Sequence, residues 1–103
     1  MRILTVTPEI ERLADDEIAA ALSTLDGWEI DDGRLHRTYG FDNFVEAMGF
    51  MVRAAMWAEM LNHHPEWSNL YKTVKVWLET HDVDGISRLD LELAAKMNEL
   101  ATR

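Results

Sequence analysis

Hydrophobic and polar positions along the chain change period several times, and each change predicts an element. From Ala14, the stretch DDEIAAALSTL sets Ile18, Ala21, Leu22 and Leu25 on one helical face. Asp15 and Asp16 suit the first turn of that helix, and Gly27 offers a C-terminal stop. WEIDDGRLHRTYGF then reads as a hairpin: Trp28 and Ile30 alternate, Asp32-Gly33 is a two-residue turn, and Leu35 to Phe41 returns. A long helix is predicted over DNFVEAMGFMVRAAMWAEMLNHH, capped by Asp42 or Asn43. Phe44, Met48, Met51, Ala55 and Ala58 form its apolar stripe. Val45, Phe50, Val52, Met56 and Trp57 widen that stripe beyond what one sheet would cover. Pro65 is expected to end the helix, because proline cannot extend the hydrogen-bond ladder and biases His64 away from helical angles.

Period two returns in TVKVWLETHDV, with Val74, Val76, Leu78 and Thr80 on one face and Lys75, Trp77, Glu79 and His81 on the other. The shorter run from Trp67 to Tyr71 pairs with it as a second hairpin. ISRLDLELAAKMNELA closes the chain as a helix. Ser87 and Asp90 stand at capping-box spacing and Ile86 and Leu91 at staple spacing, while Leu93, Met97 and Leu100 face inward. The order helix-β-β-helix-β-β-helix predicts an α+β fold, a four-stranded antiparallel sheet with helices packed on one face.

Composition narrows the function. The 103 residues suit a single domain over 1–103, with 1–12 as an N-terminal extension. Apolar residues at 48% and charged residues at 28% suit a folded globule, and no apolar run reaches the ~20 residues of a membrane span. The first residues lack a signal-peptide stretch. With no cysteine, disulfides, thiolate metal sites and cysteine nucleophiles are excluded, and a cytoplasmic location is expected. A net charge of −9 without a Lys/Arg cluster argues against direct binding to nucleic acid.

Chemistry concentrates in EMLNHHPEWSNLY. Adjacent His63 and His64 would point about 100° apart on a helix, so one metal ion could not readily take both, and no HExxH or EF-hand pattern is present. No metal site is expected. Histidines at a helix C-terminus gain about 0.3–1 kcal/mol each from the helix dipole, which covers one of them. That leaves Glu59, one turn below His63, and His81 at the end of a strand. Spacing alone leaves both readings standing, helix-end decoration or a functional cluster. As a cluster, two or three imidazoles with a nearby carboxylate supply an acid and a base near neutrality, which suits a dehydration.

The pattern Glu59, three residues, His63-His64-Pro65, five residues, Tyr71, nine residues, His81, eight residues, Asp90 resembles the signature of the pterin-4a-carbinolamine dehydratases, also called 4a-hydroxytetrahydrobiopterin dehydratases. LDGWEI, FDNFVEAMGFM, NHHPEWSNLY and ETHD fit as well, and the resemblance spans about residues 13 to 102. It implies the same α+β layout and the removal of water from a 4a-hydroxy-tetrahydropterin, a by-product of aromatic amino acid hydroxylases, to give quinonoid dihydropterin in tetrahydrobiopterin recycling. It further implies that His63, His64 and His81 are the catalytic imidazoles, without a cofactor. On the same resemblance Glu59 orients or charges His63, Pro65 shapes the turn, Trp67 walls the pocket, and Thr80 contacts the pterin beside His81. Asp90 belongs to the signature and also suits a helix first turn.

Family members assemble as homodimers or homotetramers through sheet edges and helix bundles, so the wide apolar surface of the long helix is expected to be an interface. The chain departs from the family in DVDGISRLD, at Asp84, Ile86 and Ser87, and in carrying Ala14 where a capping Thr or Ser is usual. The competing reading is a non-catalytic partner of the same fold, either a transcription-factor dimerization cofactor or an enzyme assembly factor.

Overall fold

The computed structural model describes residues 9–102. Its elements are α1 (Asp15–Leu22), β1 (Glu29–Asp31), β2 (Arg34–Gly40), α2 (Phe44–Leu61), β3 (Glu66–Leu70), β4 (Thr73–Leu78), a short 3-10 turn (His81–Val83) and α3 (Arg88–Ala101). The four strands form one antiparallel sheet in the order β1-β2-β4-β3, so the two predicted hairpins lie side by side. Of the expected N-terminal extension, residues 1–8 fall outside the described residues. Residues 9–14 carry no helix or strand, and Leu13 N–H donates to Ile86 O at 2.8 Å.

Local chemistry explains most of these elements. Asp32 and Gly33 both take positive φ (52° and 76°), the twist that a two-residue hairpin turn requires. Alternation on β4 buries Val74, Val76 and Leu78 against the helices and leaves Lys75 on the open face. Across β2 the same inner face carries Leu35 and Tyr39, and α3 adds Leu93, Met97 and Leu100. Phe50 of α2 is fully buried and meets Tyr39 and Phe41 at 4.8 and 5.0 Å between ring centroids. Asn98 ties α3 to β2, its side-chain oxygen accepting from Trp28 Nε1, the Arg37 guanidinium and the Tyr39 hydroxyl. Among the described residues no helix is long and apolar enough to cross a membrane.

Three sequence expectations need correction, and the choice of cap on α2 is resolved. The first helix stops at Leu22, four residues before Asp26; Gly27 (φ +80°) instead lets the Arg37 side chain pass close to the backbone. On α2, Asn43 rather than Asp42 is the cap, accepting from Glu46 N–H. The buried stripe of α2 is Ala47, Phe50, Ala54 and Ala58. Phe44, Met48 and Ala55 of the expected stripe face outward, as do Val45, Val52 and Met56. Both faces of this helix are apolar, and the smaller side chains went inward because α3 crosses over them. Finally, α2 ends not at Pro65 but at Asn62, which takes the left-handed conformation (φ 50°, ψ 42°) and donates its N–H back to the last turn. Asparagine tolerates that conformation better than most residues. His63 and His64 therefore lie past the helix.

Burial pushes the Tyr39 phenol up to about 12, with the Arg37 guanidinium pulling the other way. In the unfolded chain a phenol titrates near 10. Folding is therefore undisturbed by this group below pH 10, and loses stability as pH climbs from 10 toward 12, where only the unfolded chain ionises. Tyr39→Phe removes that loss. Urea midpoints measured for both proteins across this window should show the wild type falling relative to the variant by up to about 3 kcal/mol. Parallel curves would mean that the phenol ionises as freely in the fold as in water.

Candidate active site

The site is assembled at one end of the sheet around the Asp90 carboxylate, which is fully buried. Its position follows from the capping box predicted at the start of α3. Ser87 is the N-cap, its hydroxyl accepts from Leu89 N–H, and Asp90 Oδ2 accepts from Ser87 N–H at 2.9 Å. The same Oδ2 accepts from the Thr80 hydroxyl at 2.8 Å, and the Thr80 and Ser87 hydroxyls meet at 2.6 Å. Oδ1 receives His63 Nε2. One carboxylate thus caps a helix, anchors the end of β4 and fixes an imidazole.

The loop between Thr80 and Ser87 is pinched shut by a bridge, Thr80 N–H donating to Gly85 O at 2.7 Å. Asp84, where the chain departs from the family pattern, takes the left-handed conformation (φ 51°) and closes the 3-10 turn. Ser87, another departure, still caps α3.

Three imidazoles border one cavity of about 300 Å³, with Asn62, Thr80 and Leu89 among the other walls. This is at the small end of ligand pockets. The environments of the three differ. His63 is buried, its side chain 10% exposed. His64 is 62% exposed and pairs with Glu59, Nε2 to Oε1 at 2.8 Å. His81, at the first position of the 3-10 turn, is 88% exposed, with Nδ1 3.6 Å from Glu79 Oε1. Each imidazole therefore has its own carboxylate. Two larger hollows, about 500 Å³ along α2 and 340 Å³ beside α1, bring no imidazole to their walls. Among the described residues no group of three His, Cys, Asp or Glu is placed to hold a metal ion.

The sequence-predicted residues separate clearly. His63, His64, Thr80 and His81 are brought together. Pro65 lines an adjoining cleft with His64 and His81. Glu59 was expected to serve His63, one helical turn away, but the helix ends before either histidine and the carboxylate meets His64. Trp67 does not wall the pocket: it opposes Val76 on β4 and packs against the core. Asp90, which belongs to the signature and also suits a helix first turn, is fully buried, caps α3 and holds His63. Thr80 N–H and hydroxyl are likewise taken by protein partners. His36 is half-buried, with Nδ1 2.8 Å from Val76 O. Sequence reasoning missed Glu79, Trp77 and Arg34 as walls, although alternation had already put Trp77 and Glu79 on the face of His81.

Known proteins resemble this chain over most of its length. The family model described as pterin 4 alpha carbinolamine dehydratase matches residues 11–100. Among curated relatives, one from Ruegeria pomeroyi is 55% identical over 94 residues, covering 87% of this chain and 97% of its own. One from Chelativorans sp. is 52% identical over 95 residues, covering 90% and 97%. Both carry the provisional name pterin-4-alpha-carbinolamine dehydratase. A crystal structure from Brucella melitensis, described as a transcriptional coactivator/pterin dehydratase, superposes with a TM-score of 0.85 at 48% identity, covering 87% of this chain and 98% of that one.

Removing the Asp90 carboxylate leaves Ser87 N–H, the Thr80 hydroxyl and His63 Nε2 without their shared acceptor. Asp90→Ala is expected to cost about 3 kcal/mol or more of unfolding free energy, and Thr80→Val, which deletes a single hydroxyl, about 1–2 kcal/mol. Urea titration checks both, and equal small losses would show that the carboxylate is not the hub.

Proposed function

Because this chain belongs to the pterin-4a-carbinolamine dehydratase family, we propose that it removes water from a 4a-hydroxy-tetrahydropterin by histidine acid–base catalysis. The supporting observation is the sharing of one cavity by His63, His64 and His81, each beside its own carboxylate. The reaction is redox-neutral. The carbon–oxygen bond at C4a breaks, the hydroxyl takes a proton and leaves as water, and a ring nitrogen gives up a proton as the new double bond forms. The products are quinonoid dihydropterin and water.

Two imidazoles of opposite protonation are needed at once. With its Nε2–H directed at Asp90, His63 presents Nδ1 as a lone pair, the geometry of a carboxylate-oriented base. His63 takes the ring proton. His81 and His64, open to solvent, supply the proton to the departing hydroxyl and recover it from water. Asp90 acts through His63, Glu59 through His64, and Thr80 and Pro65 shape the walls. Since the substrate arises when aromatic amino acid hydroxylases turn over, the protein acts downstream of such a hydroxylase in tetrahydrobiopterin recycling.

The apolar outer face of α2, with Val45 74%, Met56 63% and Met60 72% exposed, supports assembly into a homodimer or homotetramer. The same face, with the coactivator half of the Brucella description, is what favours a non-catalytic partner role. Three carboxylate-paired histidines favour catalysis.

Stopped-flow decay of freshly generated 4a-hydroxy-tetrahydropterin, with spontaneous decay as control, is expected to accelerate with protein. His63→Ala and His81→Ala should each lower the catalysed rate roughly 10²-fold while the proteins stay folded. Full activity in both variants removes these residues from the mechanism. Light scattering at micromolar concentration is expected to give a multiple of the 11.9 kDa chain mass. A single-chain mass would rule out assembly.

A further inference from the structure

The segment ahead of α1 has neither helix nor strand, yet it is held at two points. Leu13 N–H donates to Ile86 O at 2.8 Å, and the Arg12 side chain lies against Gly85, where a methyl group would stand 2.8 Å from Arg12 Nε. Both contacts fall on the loop that carries His81 at one end and leads into α3 at the other. Just before them in the chain, Ile10 forms part of the wall of the histidine cavity. Leu13 packs on the hydrophobic core; Ile10, although it too is half-buried, is not among the described residues that do so. Core packing therefore does not account for its place. Ile10 also stands one residue before the stretch, 11–100, that the family model matches.

We propose that Ile10 is a substrate-binding residue of the histidine cavity, supplying with Leu89 of α3 the apolar surface on which a flat heterocycle is held. This deepens the dehydratase reading and rests on it. Ile10 and Leu89 are the two aliphatic side chains among the cavity walls; the others are imidazoles, carboxylates, an amide and a hydroxyl. Such polar groups serve the edge of a heterocycle, where its nitrogens and oxygens lie. A ring face offers no hydrogen bonds and is drawn out of water by apolar contact. Ligand pockets are ordinarily lined mostly by apolar side chains, so in a cavity with two, each carries a large share of the affinity. No particular orientation of the ring is required. Whichever edge meets the imidazoles, these two side chains are the aliphatic surface available to its faces.

The test is calorimetric titration of 6-methyl-7,8-dihydropterin, kept under nitrogen, into the wild type, Ile10→Ala and Ile10→Leu. Turnover of the 4a-hydroxy form and urea unfolding are followed on the same proteins. Ile10→Ala is expected to bind about tenfold more weakly and to raise KM by about the same factor, with kcat within about twofold, the pattern of lost uniform binding. Ile10→Leu keeps the apolar area and should return both to within about threefold of the wild type. Urea midpoints should agree, because Ile10 lies outside the core. Undiminished binding by Ile10→Ala overturns the proposal. So does a loss that Ile10→Leu does not restore, that tracks a falling urea midpoint, or that appears in kcat instead of KM; Ile10 would then brace the fold or the His81 loop without touching the ligand. Weaker binding by Ile10→Ala, with no turnover even in the wild type, sinks the dehydratase reading and leaves Ile10 as a wall of a pterin site. Failure of the wild type to bind any pterin sinks both.

Discussion

A single buried carboxylate holds this molecule's working end together. Asp90 has no contact with water, and a charge in that position is tolerable only when its oxygens are fully partnered. Here the partners come from three separate places: the N-cap of α3, the segment that follows β4, and the segment leaving α2. Moving any of them by an ångström would leave a donor or an oxygen unmet in the interior, at a cost of 1–3 kcal/mol for each. The requirement to satisfy one side chain therefore sets the distance between His63 and the loop that carries His81.

The three histidines show how local surroundings separate chemically identical groups. His63 is enclosed and fixed by a carboxylate whose other oxygen is held by Ser87 and Thr80. His64 and Glu59 form a pair almost wholly in solvent, where such contacts contribute little to stability and reorganise readily. His81 stands further out still. A fixed group suits the step that demands alignment, and mobile groups suit exchange with water. The gradient from enclosed to open runs across a single cavity.

Much of this was legible in the sequence because it depended on neighbours only. The Asp32-Gly33 turn, the alternation through Val74, Val76 and Leu78, and the Ser87–Asp90 capping box are determined within four or five residues, and each appears as expected. The choice of inner face on α2 was not legible. Apolar groups line both sides of that helix, and only packing against α3 selects Ala47, Phe50, Ala54 and Ala58 for the interior. The partner of Glu59 was misread for a related reason: helical spacing pointed to His63, but Asn62 turns the chain left-handed one residue earlier and transfers the contact to His64. Trp67 and Trp77 exchanged roles because a tryptophan's pattern position says which side of a strand it occupies, not what waits on that side. The histidines themselves stood out by residue type and spacing, and their convergence required only that a helix end and a strand end share one end of the sheet.

The order in which these parts leave the ribosome has a consequence. Domains are built from the N-terminus as synthesis proceeds, and among the described elements α3 emerges after the others. It delivers Leu93, Met97 and Leu100 to the interior and, from its first turn, the only acceptor that His63 Nε2 has among the described residues. Until that helix emerges, the nascent chain has a half-covered sheet and an untethered imidazole. Completion of the hydrophobic interior and completion of the reactive centre are one event. A chain released early is a target for proteolysis rather than a weak enzyme.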